Sequence, residues 1–199
     1  MQPVILDENV LFESEKFKLH SIVLKYSNQH TFNKAYLKHR GSSSIVPYVD
    51  KNTIIMVKQW RYAIGNYTLE IPSGTHEKFE TSIQCAKREL REETGYDSKN
   101  IEFISETFAA PGYSSEVCSV FTAKELFLSP LKPDLDEHIE IINIKIKNIP
   151  DLIKQGKILD QMSITSLLMA SKFLGKWNIF LGSNNFISWG GKCMNMIFW

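Results

Sequence analysis

Apolar and polar residues alternate through much of the first half of the chain. The pattern is clear in FKLHSIVLKY, which begins at residue 17, and in SSSIVPYV, which begins at residue 42. TIIMVKQW follows a turn signal at residues 50–52, and YTLEIPSG follows a second turn at residues 65–66. Alternation with a period of two, interrupted by Asp, Asn and Gly, is typical of strands joined by hairpins. This half of the sequence therefore predicts short, mostly antiparallel strands.

The second half of the chain adds helices. Helix periodicity first appears after Glu80, and further strands are predicted at IEFISETF, SVFTAKEL and EIINIKIKNI. The segments DLIKQGKI and ITSLLMASKFLG have the spacing of two closing helices. One helix set between strands and two near the end predict the α+β class.

Composition limits the classes of function. The 199 residues are 43% hydrophobic and 23% charged, as expected for a soluble globular domain, and the formal net charge is +1. This balance argues against a nucleic-acid partner. Three separated cysteines without a C-x-x-C pair favour a cytoplasmic location. The N-terminus shows no signal peptide, and the asparagines and glycines of the last 25 residues argue against a membrane span.

The helix predicted from Thr81 to Thr94 carries a cluster of acids. On a helical wheel, Glu89, Glu92 and Glu93 share an arc of about 100°, and Cys85 projects into the same arc. The neighbouring arc, expected to face the core, holds Ile83, Ala86 and Leu90. A solvated amphipathic helix would explain the apolar stripe, but like charges one turn apart destabilise a helix. The crowding therefore favours a site for a hard divalent cation such as Mg²⁺.

The spacing around this helix resembles the Nudix box. The match is G-x5-E-x7-R-E-L-x-E-E-x-G-Y, from Gly74 to Tyr96, with every defined position filled. The resemblance implies an α/β/α sandwich around a mixed sheet and Mg²⁺- or Mn²⁺-dependent hydrolysis of a nucleoside diphosphate linked to another moiety. It implies metal contacts from the Ser73 carbonyl and from three box acids, and catalytic roles for two box residues. The metal ligands are Ser73, Glu89, Glu92 and Glu93, and the catalytic residues are Arg88 and Glu92.

Residues outside the box resemble the ADP-ribose pyrophosphatase branch of the family. VKQWRYAIGNYTLEIPSG is similar to the segment that leads into the box in that branch, with Ser73 in place of the common alanine. Pro111 lies sixteen residues after Gly95, at the distance that marks the branch. The resemblance implies substrate contacts from Arg61, Pro111 and Glu116. ADP-ribose or a related nucleoside diphosphate sugar is the expected substrate. NADH, a damaged nucleotide and a purely ligand-binding role are the alternatives.

A general base is expected on an acidic loop after the box. KPDLDEHIEI is the stretch that matches this loop, and Glu137 aligns best with the base. Asp136 and Glu140 are the alternatives, because the length of this loop varies in the family and the match can shift by one to three residues. If none of these acts as the base, Glu92 of the box is the next candidate.

The same resemblance suggests the domain organisation. Residues 1–45 are expected to form an N-terminal antiparallel strand arm that joins two subunits in a homodimer. Residues 46–175 are expected to form the Nudix hydrolase domain. Residues 176–199 form an aromatic, nearly uncharged tail to which the sequence assigns no role.

Overall fold

The computed structural model describes residues 2–132 and 138–173. Within these residues, ten strands and three helices follow one another, with a short 3₁₀ turn at Ile146–Asn148. The strands are β1 Val4–Glu13, β2 Phe17–Lys25, β3 Thr31–His39, β4 Ser42–Asp50, β5 Thr53–Arg61, β6 Asn66–Glu70, β7 Ser73–Thr75, β8 Tyr96–Phe108, β9 Val117–Leu128 and β10 Ile139–Lys145. The helices are α1 Ser82–Thr94, α2 Ile149–Lys154 and α3 Gln161–Phe173.

The first three strands form a sheet of their own, which we call the arm. They pair antiparallel in the order β1-β2-β3, as the alternating pattern predicts. Every residue of β1 is exposed, although this strand carries six large apolar side chains. They are Val4, Ile5, Leu6, Val10, Leu11 and Phe12. The arm therefore presents an apolar edge strand to its surroundings.

The remaining strands form one mixed sheet of seven strands. Its main path runs β10-β5-β4-β9-β8, with β6 beside β5 and β7 beside β4. β4 and β9 are parallel, whereas the other pairs are antiparallel. β4 begins at Ser42, so the expected domain boundary at residue 45 falls inside a central strand. The arm ends at His39 in the structure.

Helices cover both faces of the large sheet. Ile45 and Val46 are neighbours on β4, so their side chains point to opposite faces. Ile45 packs with Ala86 and Leu90 of α1, while Val46 belongs to a second cluster that includes residues of α2 and α3. Burying one such side chain contributes about 1.5–3 kcal/mol. The predicted α+β class and the α/β/α sandwich are confirmed.

Local signals fix both ends of α1. The Thr81 hydroxyl accepts a hydrogen bond from the Gln84 backbone N–H, and the Gln84 side chain caps Thr81 in return. Gly95 ends the helix with φ of 76°, a left-handed conformation that favours glycine. The prediction that Ile83 faces the core is wrong, since its side chain is 45% exposed. Ile83 lies in the first turn, and packing against the sheet begins later, at Ala86.

None of the helices within the described residues is both long and apolar enough to cross a membrane. The tail expected at residues 176–199 lies outside the part of the chain that the structure describes.

Candidate active site

The acids of α1 lie side by side where the helix meets β7. Glu89 and Glu93 are almost fully buried, with 7% and 4% of their surface exposed. The Glu92 side chain is 20% exposed. Burying carboxylates is costly unless hydrogen bonds or cations compensate. These three carboxylates therefore need hydrogen-bond donors or cations close to them.

Arg88 connects four parts of the box. Its Nε and Nη2 donate to the two carboxylate oxygens of Glu80, at 2.9 and 3.0 Å. Nη1 donates to Glu89 Oε1 at 2.7 Å and to Glu92 Oε2 at 2.9 Å. Nη2 also reaches the Thr75 carbonyl oxygen at 3.2 Å. One planar guanidinium thus fixes three carboxylates relative to β7.

The opposite charges of Arg88 and its carboxylate partners keep these groups ionised. Burial alone would lower the pKa of Arg88, but its hydrogen bonds to Glu80 and the nearby Glu89 and Glu92 raise it. Burial opposes ionisation of Glu80 as well, yet the hydrogen bonds from Arg88 hold the pKa of Glu80 below its usual value. Both groups are therefore charged at neutral pH.

Gly74 lies against the carboxylate of Glu89. A Cβ atom at position 74 would lie 1.7 Å from Glu89 Oε1, so only glycine leaves this carboxylate where it is. The Cys85 thiol donates to the Gly74 carbonyl oxygen at 3.4 Å. Next to it, the Ser73 backbone N–H donates to Glu93 Oε2 at 3.2 Å. The backbone of β7 thus lies directly against the side chains of Glu89, Glu93 and Cys85 on α1.

The donor set fits a hard divalent cation. Carboxylate and carbonyl oxygens are the ligands that Mg²⁺ and Mn²⁺ prefer, and Gly74 keeps the space beside Glu89 free of a side chain. Among the described residues, no three acidic, histidine or cysteine side chains already converge on one metal position. Arg88 Nη1 lies between Glu89 and Glu92 and supplies the positive charge there.

Arg61 lies at the end of β5 and is held by a buried acid. Its Nε and Nη2 donate to the two carboxylate oxygens of Glu70, at 2.9 and 2.6 Å. These hydrogen bonds raise the pKa of Arg61 despite its burial, and the charges of Glu93 and Asp160 add to the effect. The Arg61 side chain remains 39% exposed. The guanidinium is therefore oriented but still accessible from the cleft.

Glu116 belongs to a second polar network beside the box. Its Oε1 accepts a hydrogen bond from the Ser42 hydroxyl at 2.8 Å and lies 3.9 Å from His39 Nδ1. The Gly41 backbone N–H donates to the same Nδ1 at 3.1 Å, so the His39 proton is on Nε2. Nε2 faces Thr75 Oγ1 at 3.4 Å. This network links the end of the arm to β7 and to Glu116.

The structure brings most of the predicted residues to one cleft. A cavity of about 250 Å³, which we call the box cleft, has Ser73, Arg61, Glu116 and three α1 residues in its wall. The α1 residues are Arg88, Glu89 and Glu92. A second cavity of about 440 Å³ adjoins it and shares Glu116 and Met162 with it. Clefts of this combined size bind ligands as large as nucleotides.

Two of the predicted residues that the structure describes lie outside the box cleft. Pro111 is exposed in a turn between β8 and β9, which the Tyr113 N–H closes by donating to the Ala110 carbonyl oxygen at 3.0 Å. Glu140 is on β10, where it forms an exposed ion pair with Lys58 at 3.1 Å. Glu137 and Asp136 lie outside the described residues.

Sequence reasoning missed three features of the site. It assigned no partner to Glu80. In the structure, the Glu80 carboxylate accepts a hydrogen bond from Arg88, which lies eight residues later on α1. It assigned no role to Glu70, which is 4% exposed and orients Arg61. It also missed His39. The acid two residues before Pro72, at the entry to the box, was the available signal for Glu70, whereas nothing local to the sequence marks His39.

Comparison with known proteins identifies the family. Residues 38–158 match the NUDIX domain. The chain is 31% identical over 152 residues to ADP-ribose pyrophosphatase of Bacillus subtilis (strain 168), covering 75% of this chain and 82% of the relative. It is 28% identical over 159 residues to the methanol dehydrogenase activator of Bacillus methanolicus, covering 79% and 86%.

A solved structure shares the fold. The crystal structure of an ADP compounds hydrolase superposes with a TM-score of 0.77 at 23% identity, covering 88% of this chain and 95% of that chain. At this identity the likeness concerns the fold alone. The domain match and the 31% identity to the Bacillus subtilis relative show the family as well as the fold. The chain belongs to the Nudix family.

Proposed function

We propose that this protein is a metal-dependent hydrolase that cleaves the diphosphate bond of ADP-ribose or a related nucleoside diphosphate sugar. The products are AMP, or the corresponding nucleoside monophosphate, and a sugar phosphate. The observation that carries the proposal is the box cleft, where Glu89 and Glu92 of α1 share one cavity with Arg61 and Glu116. The relative that is named ADP-ribose pyrophosphatase supports the substrate class.

Glu89, Glu92, Glu93 and the Ser73 carbonyl would hold Mg²⁺ or Mn²⁺. When bound, the cation neutralises charge on the diphosphate oxygens as the bond breaks. Arg88 holds two of the acids in position through hydrogen bonds of 2.7 and 2.9 Å, so little reorganisation is required when the substrate arrives.

The chain supplies the remaining chemistry. Arg61 offers guanidinium donors to a phosphate group, and Glu70 keeps them oriented. Glu116 accepts a hydrogen bond from the sugar part, and Pro111 stiffens the turn that borders the adjoining cavity. Glu137 accepts a proton from the attacking water, whose oxygen bonds to phosphorus as the bridging P–O bond breaks.

A second candidate function is hydrolysis of another diphosphate compound. The relatives include a GDP-mannose pyrophosphatase of Escherichia coli O1:K1 / APEC, 22% identical over 182 residues. A panel of ADP-ribose, GDP-mannose and NADH, each assayed with Mg²⁺ and with Mn²⁺, separates these substrates. The proposal expects the highest kcat/KM for ADP-ribose. A higher value for either of the others would move the assignment to that compound.

Gly74→Ala tests the space beside Glu89. The new methyl group displaces the Glu89 carboxylate, because 1.7 Å is far inside van der Waals contact. Loss of support for a metal ligand typically weakens metal affinity by about 10–100-fold. We expect that increase in the Mg²⁺ concentration required for half-maximal activity. Gly112→Ala is the control, since a Cβ there contacts nothing. An unchanged Mg²⁺ requirement in folded Gly74→Ala would contradict the prediction.

We also propose that the protein is a cytoplasmic homodimer, with the arm at residues 4–39 as the element that joins the subunits. The support is the exposed apolar side chains of β1, which are 50% to 62% exposed. A strand with so many apolar groups at a sheet edge is normally covered by another chain. Residues 42–173 then form the catalytic domain within the described chain.

Leu11→Glu tests the dimer. A charge in the middle of an apolar interface is strongly unfavourable, so we expect light scattering to give the mass of a dimer for the wild type and of a monomer for the variant. Leu128→Glu is the matched control, because Leu128 is 76% exposed but lies on β9. A fully active wild-type monomer would rule out the proposal.

A further inference from the structure

A third cavity, of about 670 Å³, lies between the arm and the loop that precedes α1. We call it the basic pocket, because five cationic side chains and only two carboxylate residues line it. The cations are Lys16, Lys18, Lys38, Arg40 and Lys78, and the acids are Glu13 and Glu15. The whole chain has a formal net charge of only +1, so positive charge is concentrated here.

Most of this charge is not neutralised by neighbouring acids. Lys18 forms an ion pair with Glu13 at 2.6 Å. Arg40 Nη2 donates at 2.8 Å to the backbone carbonyl oxygen of Glu15, which leaves the guanidinium charge uncompensated. In the described part of the chain, Lys16, Lys38 and Lys78 form no ion pair with a carboxylate. The pocket therefore carries a positive potential.

The register of the arm places two of the lysines together. Lys18 of β2 is directly opposite Lys38 of β3, so both side chains lie on the same face of the arm. Like charges directly opposite each other destabilise a sheet. Glu13 forms an ion pair with one of them, Lys18, whereas the other, Lys38, is attracted by Glu8 without forming an ion pair with it. An anionic ligand between the strands and Lys78 would offset the other.

The basic pocket continues into the box cleft. Glu15, Lys16 and Arg40 line both cavities. A ligand whose diphosphate lies beside the acids of α1 therefore reaches the basic pocket without crossing a wall. Val10 and Phe17 add apolar surface to the same pocket. This lining suits a ligand that has one anionic group next to an uncharged part.

We propose that the basic pocket binds a phosphate monoester on the nucleoside part of the substrate. This inference rests on the proposed function and narrows its substrate class to nucleoside diphosphate sugars that carry an additional phosphate. Lys38 and Lys78 determine this specificity, because they line the basic pocket and not the box cleft. Phosphate monoesters accept strong charge-assisted hydrogen bonds from lysine.

The first test compares ADP-ribose with ADP-ribose 2′-phosphate as substrates. We expect the wild-type kcat/KM to be at least about tenfold higher for the phosphorylated compound. The double variant Lys38→Gln/Lys78→Gln should lose this preference and retain its rate with ADP-ribose. Lys34→Gln is the matched control, because Lys34 lies on the same strand but not in the pocket. The preference should also shrink as salt concentration rises.

The second test measures binding without metal or turnover. Titration calorimetry compares adenosine 2′,5′-bisphosphate, AMP and inorganic phosphate on the wild type and the double variant. Tighter binding of the bisphosphate than of AMP, by about tenfold and only in the wild type, would support the proposal. The same binding result would support the phosphate-monoester site even if the protein cleaved neither substrate. In that case only the proposed hydrolase function would be wrong.

Two results would overturn the proposal. One is equal binding of AMP and the bisphosphate by the wild type. The other is a lysine-dependent site for inorganic phosphate with no advantage for the bisphosphate, which would make the pocket a site for a free anion. Thermal unfolding of the double variant checks that the arm is intact in both cases.

Discussion

Glu93→Gln should abolish most of the activity while leaving the fold nearly intact. Glu93 is 4% exposed and lies against β7, where its Oε2 accepts the Ser73 backbone N–H. Glutamine keeps the volume and an acceptor oxygen but removes the negative charge that a divalent cation requires. Electrostatic stabilisation by such a metal amounts to several kcal/mol, so kcat/KM should fall by about 10³-fold or more.

The fold of this variant is checked by thermal unfolding. Because the hydrogen bond to Ser73 survives, we expect a change in the free energy of unfolding of about 1 kcal/mol or less. Glu102→Gln is the matched control, since Glu102 forms a partly exposed ion pair with Lys124 on the β8–β9 hairpin. Near-normal turnover of folded Glu93→Gln at saturating Mg²⁺ would exclude Glu93 as a metal ligand.

Glu137→Gln should lower kcat by about 10²–10⁴-fold, as expected when a general base is removed. KM should change little, because the carboxylate acts on water and not on the bound substrate. The alignment that identifies Glu137 rests on the family resemblance, and the residue lies outside the described part of the chain.

The neighbouring acids provide the comparison for Glu137. Asp136→Asn and Glu140→Gln should have much smaller effects, and for Glu140 there is now a structural reason, because it pairs with Lys58 on β10. A severe loss in either variant would shift the base to that residue. Wild-type activity in all three variants would favour Glu92 as the base.

The helix and its acids were predictable because they depend on local spacing. A period of 3.6 residues determines that Glu89, Glu92 and Glu93 share a face, and Gly95 ends the helix by its own conformational freedom. The alternating strands of the arm were predictable for the same reason. The exposure of Ile83 was not, because it depends on where the sheet ends beneath the helix.

Contacts between distant parts of the chain were beyond a reading of periodicity. The parallel pairing of β4 with β9 joins distant segments, since it places Ser42 opposite Cys118, and it moves Ser42 into the centre of the large sheet. The hydrogen bond from Ser42 to Glu116 follows from that pairing. The contact of Gly74 with Glu89 likewise depends on how β7 crosses α1. Only the motif gave a sign of it, by requiring glycine at that position.

Product analysis shows directly whether the protein cleaves the diphosphate bond of ADP-ribose in a metal-dependent reaction. The purified protein is incubated with ADP-ribose and Mg²⁺ or Mn²⁺, and the products are separated and identified. We expect AMP and ribose 5-phosphate in equal amounts, formed with added metal and not with a chelator, and not formed by Glu93→Gln. Metal-independent cleavage, products other than these two, or no cleavage of any nucleoside diphosphate sugar would contradict the proposed function.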